Sequence, residues 1–216
     1  MDFYRNENEN KQSVTFTDDQ SAAIDELISF IAATWSDKDF IRGLCGPGGT
    51  GKTFVTKYII ENCKYSHSVI KCTAPTHKAC RVLNNAIGNI RNVETIQSTF
   101  GLRLDLKLED FDPERPQFNP IAGPKLNNIK LLIVDEASML PAKLVKYIIS
   151  TCKKLNIKII FQGDSFQLPP VGEKQSYAFT QCYKTNYLNE IVRQGNDNPI
   201  RAVSYTHLRA HETRGN

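Results

Sequence analysis

One glycine-rich segment limits the choice of fold more than any other feature of this chain. Residues 46–53 read GPGGTGKT, which fits the pattern GxxxxGK[ST], and they lie between a predicted strand (39–45) and a predicted helix (52–63). Glycines let the backbone curl so that successive N–H groups face phosphate oxygens, and the helix N-terminus adds positive potential. The segment predicts a phosphate-binding loop made of Gly46, Pro47, Gly48, Gly49, Thr50, Gly51, Lys52 and Thr53.

Two side chains of this loop have distinct expected roles. Lys52 would bring a positive charge to the β and γ phosphates of ATP, and Thr53 would offer its hydroxyl to Mg²⁺. ATP and Mg²⁺ are therefore the expected ligands. The alternative is a glycine-rich turn followed by an ordinary surface lysine.

Strands and helices are predicted to alternate along the rest of the chain. Apolar runs and helical spacing place further strands at 68–74, 130–136 and 157–164, and helices after Thr17, over 77–87 and over 141–155. Such alternation favours a mostly parallel sheet with right-handed crossovers. The expected fold class is α/β, with helices flanking the sheet.

The predicted domain organisation is simple. At 216 residues the chain is long enough for one well-buried domain. We expect a polar, flexible N-terminus at 1–15 and one ATP-binding domain at 16–202. Between about 102 and 128, alternating leucines precede a proline-rich stretch, which indicates a small hairpin or loop insertion.

The end of the chain resembles foreign sequence. The segment VSYTHLRAHET at 203–213 matches, letter for letter, a translated frame of the transposon-end adapter used in sequencing libraries. We therefore expect 203–216 to be a non-native tail, and the natural protein to continue differently after residue 202.

Composition bounds the class of protein. Hydrophobic residues make up 40% and charged residues 23% of the chain, and no apolar run approaches the roughly 20 residues of a membrane span. The six cysteines lack metal-type spacing, so reduced thiols and a cytoplasmic location are expected. A net charge of +4 is compatible with a nucleic-acid partner but does not argue for one.

Two carboxylates follow the strand predicted at 130–136. Asp135 and Glu136 would lie at the carboxyl edge of the sheet, where open α/β folds bind ligands. There Asp135 could hold Mg²⁺ and Glu136 could orient or deprotonate the attacking water. Capping of the next helix is the alternative. Gln167 follows the strand at 157–164 and could sense a γ-phosphate, although an ordinary turn explains it equally well.

Seven segments, read in order, resemble the motifs of the first motor domain of superfamily 1 DNA helicases, with the Dda-like and RecD-like branch the most similar. They are FTDDQ (16–20), GPGGTGKT (46–53), TAPTHKA (73–79), TIQSTFG (95–101), DEASM (135–139), GDSFQLPPV (163–171) and LNEIVRQ (188–194). The resemblance covers nearly all of 16–202. It implies a RecA-like P-loop NTPase fold and an ATP-driven helicase that moves 5′ to 3′ along single-stranded DNA.

The resemblance also implies roles for residues around the nucleotide. Gln20 would contact the adenine, although its place in a predicted capping box gives a structural alternative. Gln167 would couple the γ-phosphate to DNA, and Arg193 would reach the γ-phosphate from within this domain.

The same resemblance implies a path for single-stranded DNA. It would be lined by Pro75, Thr76, His77, Lys78, Thr95 and Phe100. A core position for Phe100 and a helix-capping role for His77 are the alternatives. Gln97 stands where relatives usually have histidine, which puts that DNA contact in doubt.

Motors of this kind hold ATP between two similar domains, and the second is missing from this chain. The resemblance therefore implies a truncated, monomeric fragment that binds Mg-ATP and hydrolyses it slowly. Two other functions stay open: a small-molecule kinase, which would ignore DNA, and a single-domain module that binds ATP without hydrolysing it.

Overall fold

The computed structural model describes residues 15–88, 93–104, 118–164, 167 and 175–192. The helices are α1 (Asp18–Ala32), α2 (Lys52–Asn62), α3 (His77–Ala86), α4 (Ile96–Phe100), α5 (Ala142–Lys154) and α6 (Tyr177–Thr180), with 3₁₀ turns at His67–Val69 and Ala137–Met139. The strands are β1 (Ile41–Cys45), β2 (Ile70–Ala74), β3 (Glu94–Thr95), β4 (Leu102–Leu104), β5 (Phe118–Pro120), β6 (Leu131–Val134), β7 (Lys158–Gly163) and β8 (Lys184–Tyr187).

Six of the strands form one sheet in the order β3-β2-β6-β7-β1-β8. Every pairing in it is parallel. All carboxyl ends of these strands therefore meet at one edge of the sheet, where the loops that follow them converge. The predicted α/β class is confirmed.

Helices cover both faces of the sheet. On one face α1, α2 and α3 bury side chains such as Ile24, Val55 and Leu83 against the strands. On the other face α5 contributes Val145 to the core, and the shorter helices α4 and α6 contribute further apolar side chains. Because β6 is buried at all four positions, its run LLIV is apolar throughout instead of alternating.

Helix α1 begins with the capping box that the sequence predicts. The hydroxyl oxygen of Thr17 accepts from the N–H of Gln20 at 3.3 Å, and the Gln20 side chain accepts from the N–H of Thr17 at 3.2 Å. Two N–H groups of the first turn are thereby satisfied.

The predicted insertion contains a hairpin-like pair of strands. β4 and β5 pair antiparallel, with Leu102 opposite Pro120, and form a separate two-stranded sheet. The first strand leaves the core at the end of α4, where Gly101 adopts a φ of 62°. The backbone of Gly101 lies so close to the segment after β5 that a Cβ on Gly101 would be 2.4 Å from the carbonyl oxygen of Ala122.

Within the part of the chain that the structure describes, no helix combines the length and apolar character needed to cross a membrane. The predicted flexible N-terminus (1–15) lies outside the described residues except at its last position, and the predicted foreign tail (203–216) lies wholly outside them.

Candidate active site

The phosphate-binding loop lies between β1 and α2, as the sequence predicts. Gly49 and Gly51 have φ angles of 91° and 86°, in the left-handed region that favours glycine. The N–H of Gly46 donates to the carbonyl of Gly163 at 3.1 Å, which joins the loop to the end of β7. A Cβ on Gly46 would lie 2.5 Å from the carbonyl oxygen of Leu188, so only glycine fits there.

Lys52 is folded against the loop that precedes it. Its Nζ donates to the carbonyl of Gly46 at 2.5 Å and to that of Pro47 at 3.0 Å. Burial lowers the pKa of Lys52, and attraction to Asp164, Asp135 and Glu136 opposes that shift. The lysine and the three carboxylates are therefore close enough to act on one another electrostatically.

Asp135 follows β6 and is held by three hydrogen bonds. Its N–H donates to the carbonyl of Thr73 at 2.8 Å. Its Oδ1 accepts from the N–H of Glu136 and from Nε2 of Gln162, both at 2.9 Å. Burial raises the pKa of the Asp135 carboxyl, although these hydrogen bonds and Lys52 oppose the shift.

Glu136 has a strained backbone conformation. Its φ of 52° and ψ of 35° lie in the left-handed region, and it directly precedes the 3₁₀ turn Ala137–Met139. A non-glycine residue there costs of order 1 kcal/mol, and such strain is typical of functional sites. Burial and the neighbouring Asp135 raise the pKa of the Glu136 carboxyl. The two predicted acidic residues thus lie together beside Lys52.

Gln167 is exposed and reaches back to the loop after β6. Its Oε1 accepts from the hydroxyl of Ser138 at 3.4 Å, and Ser138 itself is fully buried. The contact connects the segment after β7 to the segment that carries Glu136.

Residues 188–192 cross over the phosphate-binding loop. The N–H of Leu188 donates to the carbonyl of Cys45 at 2.7 Å, and the N–H of Val192 donates to that of Gly49 at 2.9 Å. Oδ2 of Asp19 accepts from the N–H of Asn189 at 2.6 Å. Val192 directly precedes Arg193, the predicted γ-phosphate contact, which lies outside the described residues.

Gln20 connects the start of α1 to the phosphate-binding loop. The residue is 1% exposed, and its Nε2 donates to the carbonyl of Thr50 at 2.9 Å while its Oε1 accepts from the N–H of Thr17 at the N-cap of α1. The structural alternative from the capping box is therefore present, and the adenine contact of Gln20 stays a prediction.

The residues predicted to line the DNA path divide into two groups. Thr76, His77 and Lys78 are exposed at the start of α3, and Pro75 beside them is half-buried. Thr76 is the N-cap of this helix and accepts from the N–H of Ala79 at 3.1 Å. The helix-capping alternative for His77 is wrong, because Thr76 performs that role.

The second group is buried. Thr95 is 8% exposed and caps α4 by accepting from the N–H of Ser98 at 3.2 Å. Phe100 has no exposed surface and packs edge-on against Tyr147, with ring centroids 6.1 Å apart. A ring enclosed in the core cannot stack on a base, so a DNA contact through Phe100 does not fit this structure.

The donor set at the carboxyl edge fits Mg²⁺ bound together with a nucleotide. Among the described residues, no group of three or more histidine, cysteine, aspartate or glutamate side chains forms a self-sufficient metal site. Mg²⁺ usually takes one or two carboxylates with phosphate oxygens and waters instead. Among the described residues, both hydrogen bonds that the Asp135 carboxylate accepts go to Oδ1, so Oδ2 could bind such an ion, and Thr53 is the further ligand that the sequence predicts.

Two residues of this site were not predicted from the sequence. Gln162 and Ser138 are buried polar residues that contact Asp135 and Gln167, respectively. Thr50, which was predicted as part of the phosphate-binding loop, is fully buried and braces the loop by donating to the carbonyl of Pro47 at 3.0 Å. For Gln162 a signal existed, because a polar side chain inside an apolar strand needs a partner.

Comparison with known proteins finds helicases among the relatives of this chain. The chain is 37% identical over 143 residues to the ATP-dependent DNA helicase dda of Enterobacteria phage T4, covering 65% of this chain and 30% of that protein. It is 29% identical over 158 residues to the ATP-dependent RecD2 DNA helicase of Deinococcus radiodurans, covering 73% and 20%. The chain thus spans less than half the length of these relatives.

Solved structures of helicases share the fold. The Pif1 helicase of Candida albicans superposes with a TM-score of 0.57 at 22% identity, covering 88% of this chain and 43% of that chain. The Bacteroides Pif1 helicase in complex with ADP-AlF3 and single-stranded DNA gives a TM-score of 0.55 at 22% identity, with 88% and 46% covered. At this identity, the likeness to both structures shows a shared fold. A profile described as AAA domain matches residues 15–215, so the chain belongs to the AAA-domain family.

Proposed function

We propose that this chain is the first motor domain of an ATP-dependent DNA helicase. The observation that carries the proposal is the meeting of Lys52, Asp135 and Glu136 at the carboxyl edge of the parallel sheet, beside a glycine loop that begins a helix. Similarity to helicases of phage T4 and Deinococcus radiodurans supports DNA translocation as the work that ATP hydrolysis drives.

Each residue of the site has a role that its position supports. Lys52 exchanges the carbonyls of Gly46 and Pro47 for phosphate oxygens, which are stronger acceptors because they are charged. Thr53 and Asp135 hold Mg²⁺, which when bound neutralises charge on the phosphates. Glu136, whose pKa is raised by burial, is suited to take a proton from the attacking water.

Gln167 and Arg193 complete the nucleotide site in this proposal. Gln167 would report the γ-phosphate, since its contact with Ser138 connects it to the turn that carries Glu136. Arg193 would reach the same phosphate, because its neighbour Val192 is bonded to the phosphate-binding loop.

Single-stranded DNA is proposed to cross the start of α3. Exposed Thr76 and Lys78 can contact backbone phosphates, and such contacts position a strand without reading its sequence. We further propose that the protein is a cytoplasmic monomer, that the parent protein moves 5′ to 3′, and that a second domain supplies a further arginine.

ATP binding is tested first with a fluorescent ATP analogue and Mg²⁺. We expect saturable binding that weakens at least about 100-fold in Lys52→Ala, because the phosphate charge loses its buried partner. Lys57→Ala is the matched control, since Lys57 lies on the same helix, 40% exposed, and should leave the affinity unchanged. Equal binding by both variants would refute the phosphate role of the loop.

Hydrolysis separates a motor fragment from a complete enzyme. We expect this chain to turn over ATP very slowly with or without single-stranded DNA, because an arginine from another domain contributes roughly 10³ to 10⁵ in rate. Turnover of about 1 s⁻¹ or faster by this chain alone would contradict that expectation.

DNA binding is tested with a labelled single-stranded oligonucleotide over a range of salt concentrations. Lys78→Ala should weaken binding and reduce the salt dependence by about one counterion, whereas Lys153→Ala, at an exposed site on α5, should change neither. A chain that binds ATP but ignores DNA would instead favour a small-molecule kinase.

A further inference from the structure

Gln162 is a buried polar residue that has no role in the proposed function. It lies in β7, which is buried along its whole length, and its side chain has no exposed surface. Lys158, Ile160 and Gln162 alternate along the strand and so point to the face that α1 and α2 cover. A buried amide is costly unless both of its ends find partners.

Both ends of this amide are bonded, one to helix α2 and the other to the carboxylate that follows β6. Oε1 accepts from the hydroxyl of Thr56, which is 2% exposed and lies one turn beyond Lys52 on α2. Nε2 donates to Oδ1 of Asp135 at 2.9 Å. One side chain therefore bridges the helix that begins at the phosphate-binding loop and the carboxylate expected to hold Mg²⁺.

The orientation of the amide follows from the chemistry of its partners. An ionised carboxylate only accepts hydrogen bonds, so the NH₂ group must face Asp135. Oε1 then faces Thr56, whose hydroxyl must donate. The N–H of Glu136 also donates to Oδ1, at 2.9 Å. Two donors on one oxygen restrict the rotation of the carboxylate, and neither of them uses Oδ2.

We propose that Gln162 is a positioning residue for magnesium: it holds Asp135 so that Oδ2 meets the ion bound with ATP. This inference rests on the proposed function, because it assumes that Mg-ATP binds at this edge. Loss of a partner that orients a metal ligand typically weakens metal binding 10- to 100-fold. Thr56 would act one step further away, by fixing the amide.

The test compares nucleotide binding with and without the metal. Gln162→Met keeps the length of the side chain and removes both hydrogen bonds. Affinity for a fluorescent ATP analogue is measured in Mg²⁺ and in EDTA, and Mg²⁺ is titrated at saturating nucleotide. We expect Gln162→Met to weaken Mg²⁺ binding about 10-fold while the affinity in EDTA changes by less than about twofold.

Two further variants keep the test decisive. Thr56→Val has nearly the same shape and leaves Gln162 in place, so it should produce a smaller loss in the same direction and stands in should Gln162→Met not fold. Gln181→Met is the matched control, because the side-chain amide of Gln181 donates to its neighbour Thr180 and contacts no predicted site residue among those that the structure describes. It should match the wild type in both measurements.

The outcomes separate this inference from the function on which it rests. An unchanged Mg²⁺ affinity in folded Gln162→Met, or equal losses in Mg²⁺ and in EDTA, would overturn the positioning role while the proposed function stands. A wild-type chain that binds no nucleotide under either condition would overturn both.

Discussion

The two edges of the central sheet bury charged groups in opposite ways. At the amino edge, Nζ of Lys158 donates to the carbonyls of Phe30, Ile31 and Ala33, at 2.5, 3.3 and 2.5 Å. At the carboxyl edge, Lys52 lies among carboxylates whose pKa values burial raises.

The amino edge is satisfied by the fold itself. Lys158 caps the C-terminus of α1, a helix that has no basic residue in its own last turn. Arg42 bonds to Glu26 at 2.7 Å and also to Asp39, and Asn186 donates to the second oxygen of Glu26 at 2.7 Å. Burial lowers the pKa of Lys158 to about 8, with repulsion from Lys64 and Arg42 adding to the shift. The hydrogen bonds of these groups join α1, β1, β7 and β8.

The carboxyl edge is arranged for a ligand. Asp135 and Glu136 are neighbouring, half-buried carboxylates, and their protonated forms are favoured relative to exposed carboxyls. Binding Mg²⁺ with ATP would reverse that preference, because the cation stabilises the ionised forms. The difference between the edges is therefore a difference between charged groups whose hydrogen-bond partners lie within the fold and charged groups arranged to receive a ligand.

The largest effect is expected from removing the amino-edge lysine. Lys158→Ala should lower the free energy of unfolding by about 3 kcal/mol, because helix carbonyls lose their donor and the buried stem leaves a cavity. Urea unfolding measures it. Lys154→Ala, at an exposed position of α5, is the control and should stay within about 0.5 kcal/mol of the wild type. If both variants unfold alike, the amino edge does not stabilise the fold in the way described.

Removing a charge at the carboxyl edge should instead raise the free energy of unfolding. Asp135→Asn should raise the free energy of unfolding by about 1 kcal/mol near neutral pH, since it replaces a buried carboxylate by a neutral group of the same shape. The pKa of Asp135 is raised from 3.8 in the folded chain, so its stabilising protonated form is lost as pH rises through that raised value. The gain should therefore shrink towards pH 3.8.

Unfolding midpoints of Asp135→Asn across this pH range measure the effect. A variant less stable than the wild type near neutral pH would mean that Asp135 is already compensated within the fold, as the amino-edge groups are. The same variant should lose the Mg²⁺-dependent part of nucleotide binding.

The smallest effect is expected from the same substitution at the amino edge. The hydrogen bond from Arg42 lowers the pKa of Asp39, despite partial burial. Its contribution is present above 3.8 and is lost as pH falls through the lowered value. Asp39→Asn should cost only about 0.5 kcal/mol near neutral pH, because the side chain is 39% exposed and solvent screens the pair. A gain in stability would erase the contrast between the two edges.

The sequence predicted the elements that bury apolar side chains. β6 is a continuous hydrophobic run, and β1, β2 and β7 each carry three apolar residues in a short segment, so their composition and length identify them. β8 was missed because its sequence KTNY is polar, and it pairs only with β1 within the described sheet, leaving half of its residues exposed. β3 has two residues, too few to show a hydrophobic pattern, and only its pairing in the sheet identifies it as a strand.

The candidate site was predictable where a local motif sets it and unpredictable where distant residues meet. GPGGTGKT and the acidic pair after β6 follow from spacing alone. The bond from Gln20 to Thr50 joins residues 30 positions apart, and that from Gln162 to Asp135 joins residues 27 apart. For Phe100 the motif suggested a contact with DNA. The packing of α4 against α5 instead places its ring in the core, which the motif alone does not reveal.

The most direct test of the contrast between the edges is the stabilisation of this chain by Mg-ATP. The free energy of unfolding is measured in urea with and without the ligand, in the wild type, Lys52→Ala and Lys158→Met. At about 100 times the dissociation constant, the wild type and Lys158→Met should each gain about 2.7 kcal/mol, and Lys52→Ala almost none. No gain in the wild type, or an equal gain in Lys52→Ala, would contradict the claim that the carboxyl edge is built to receive the nucleotide.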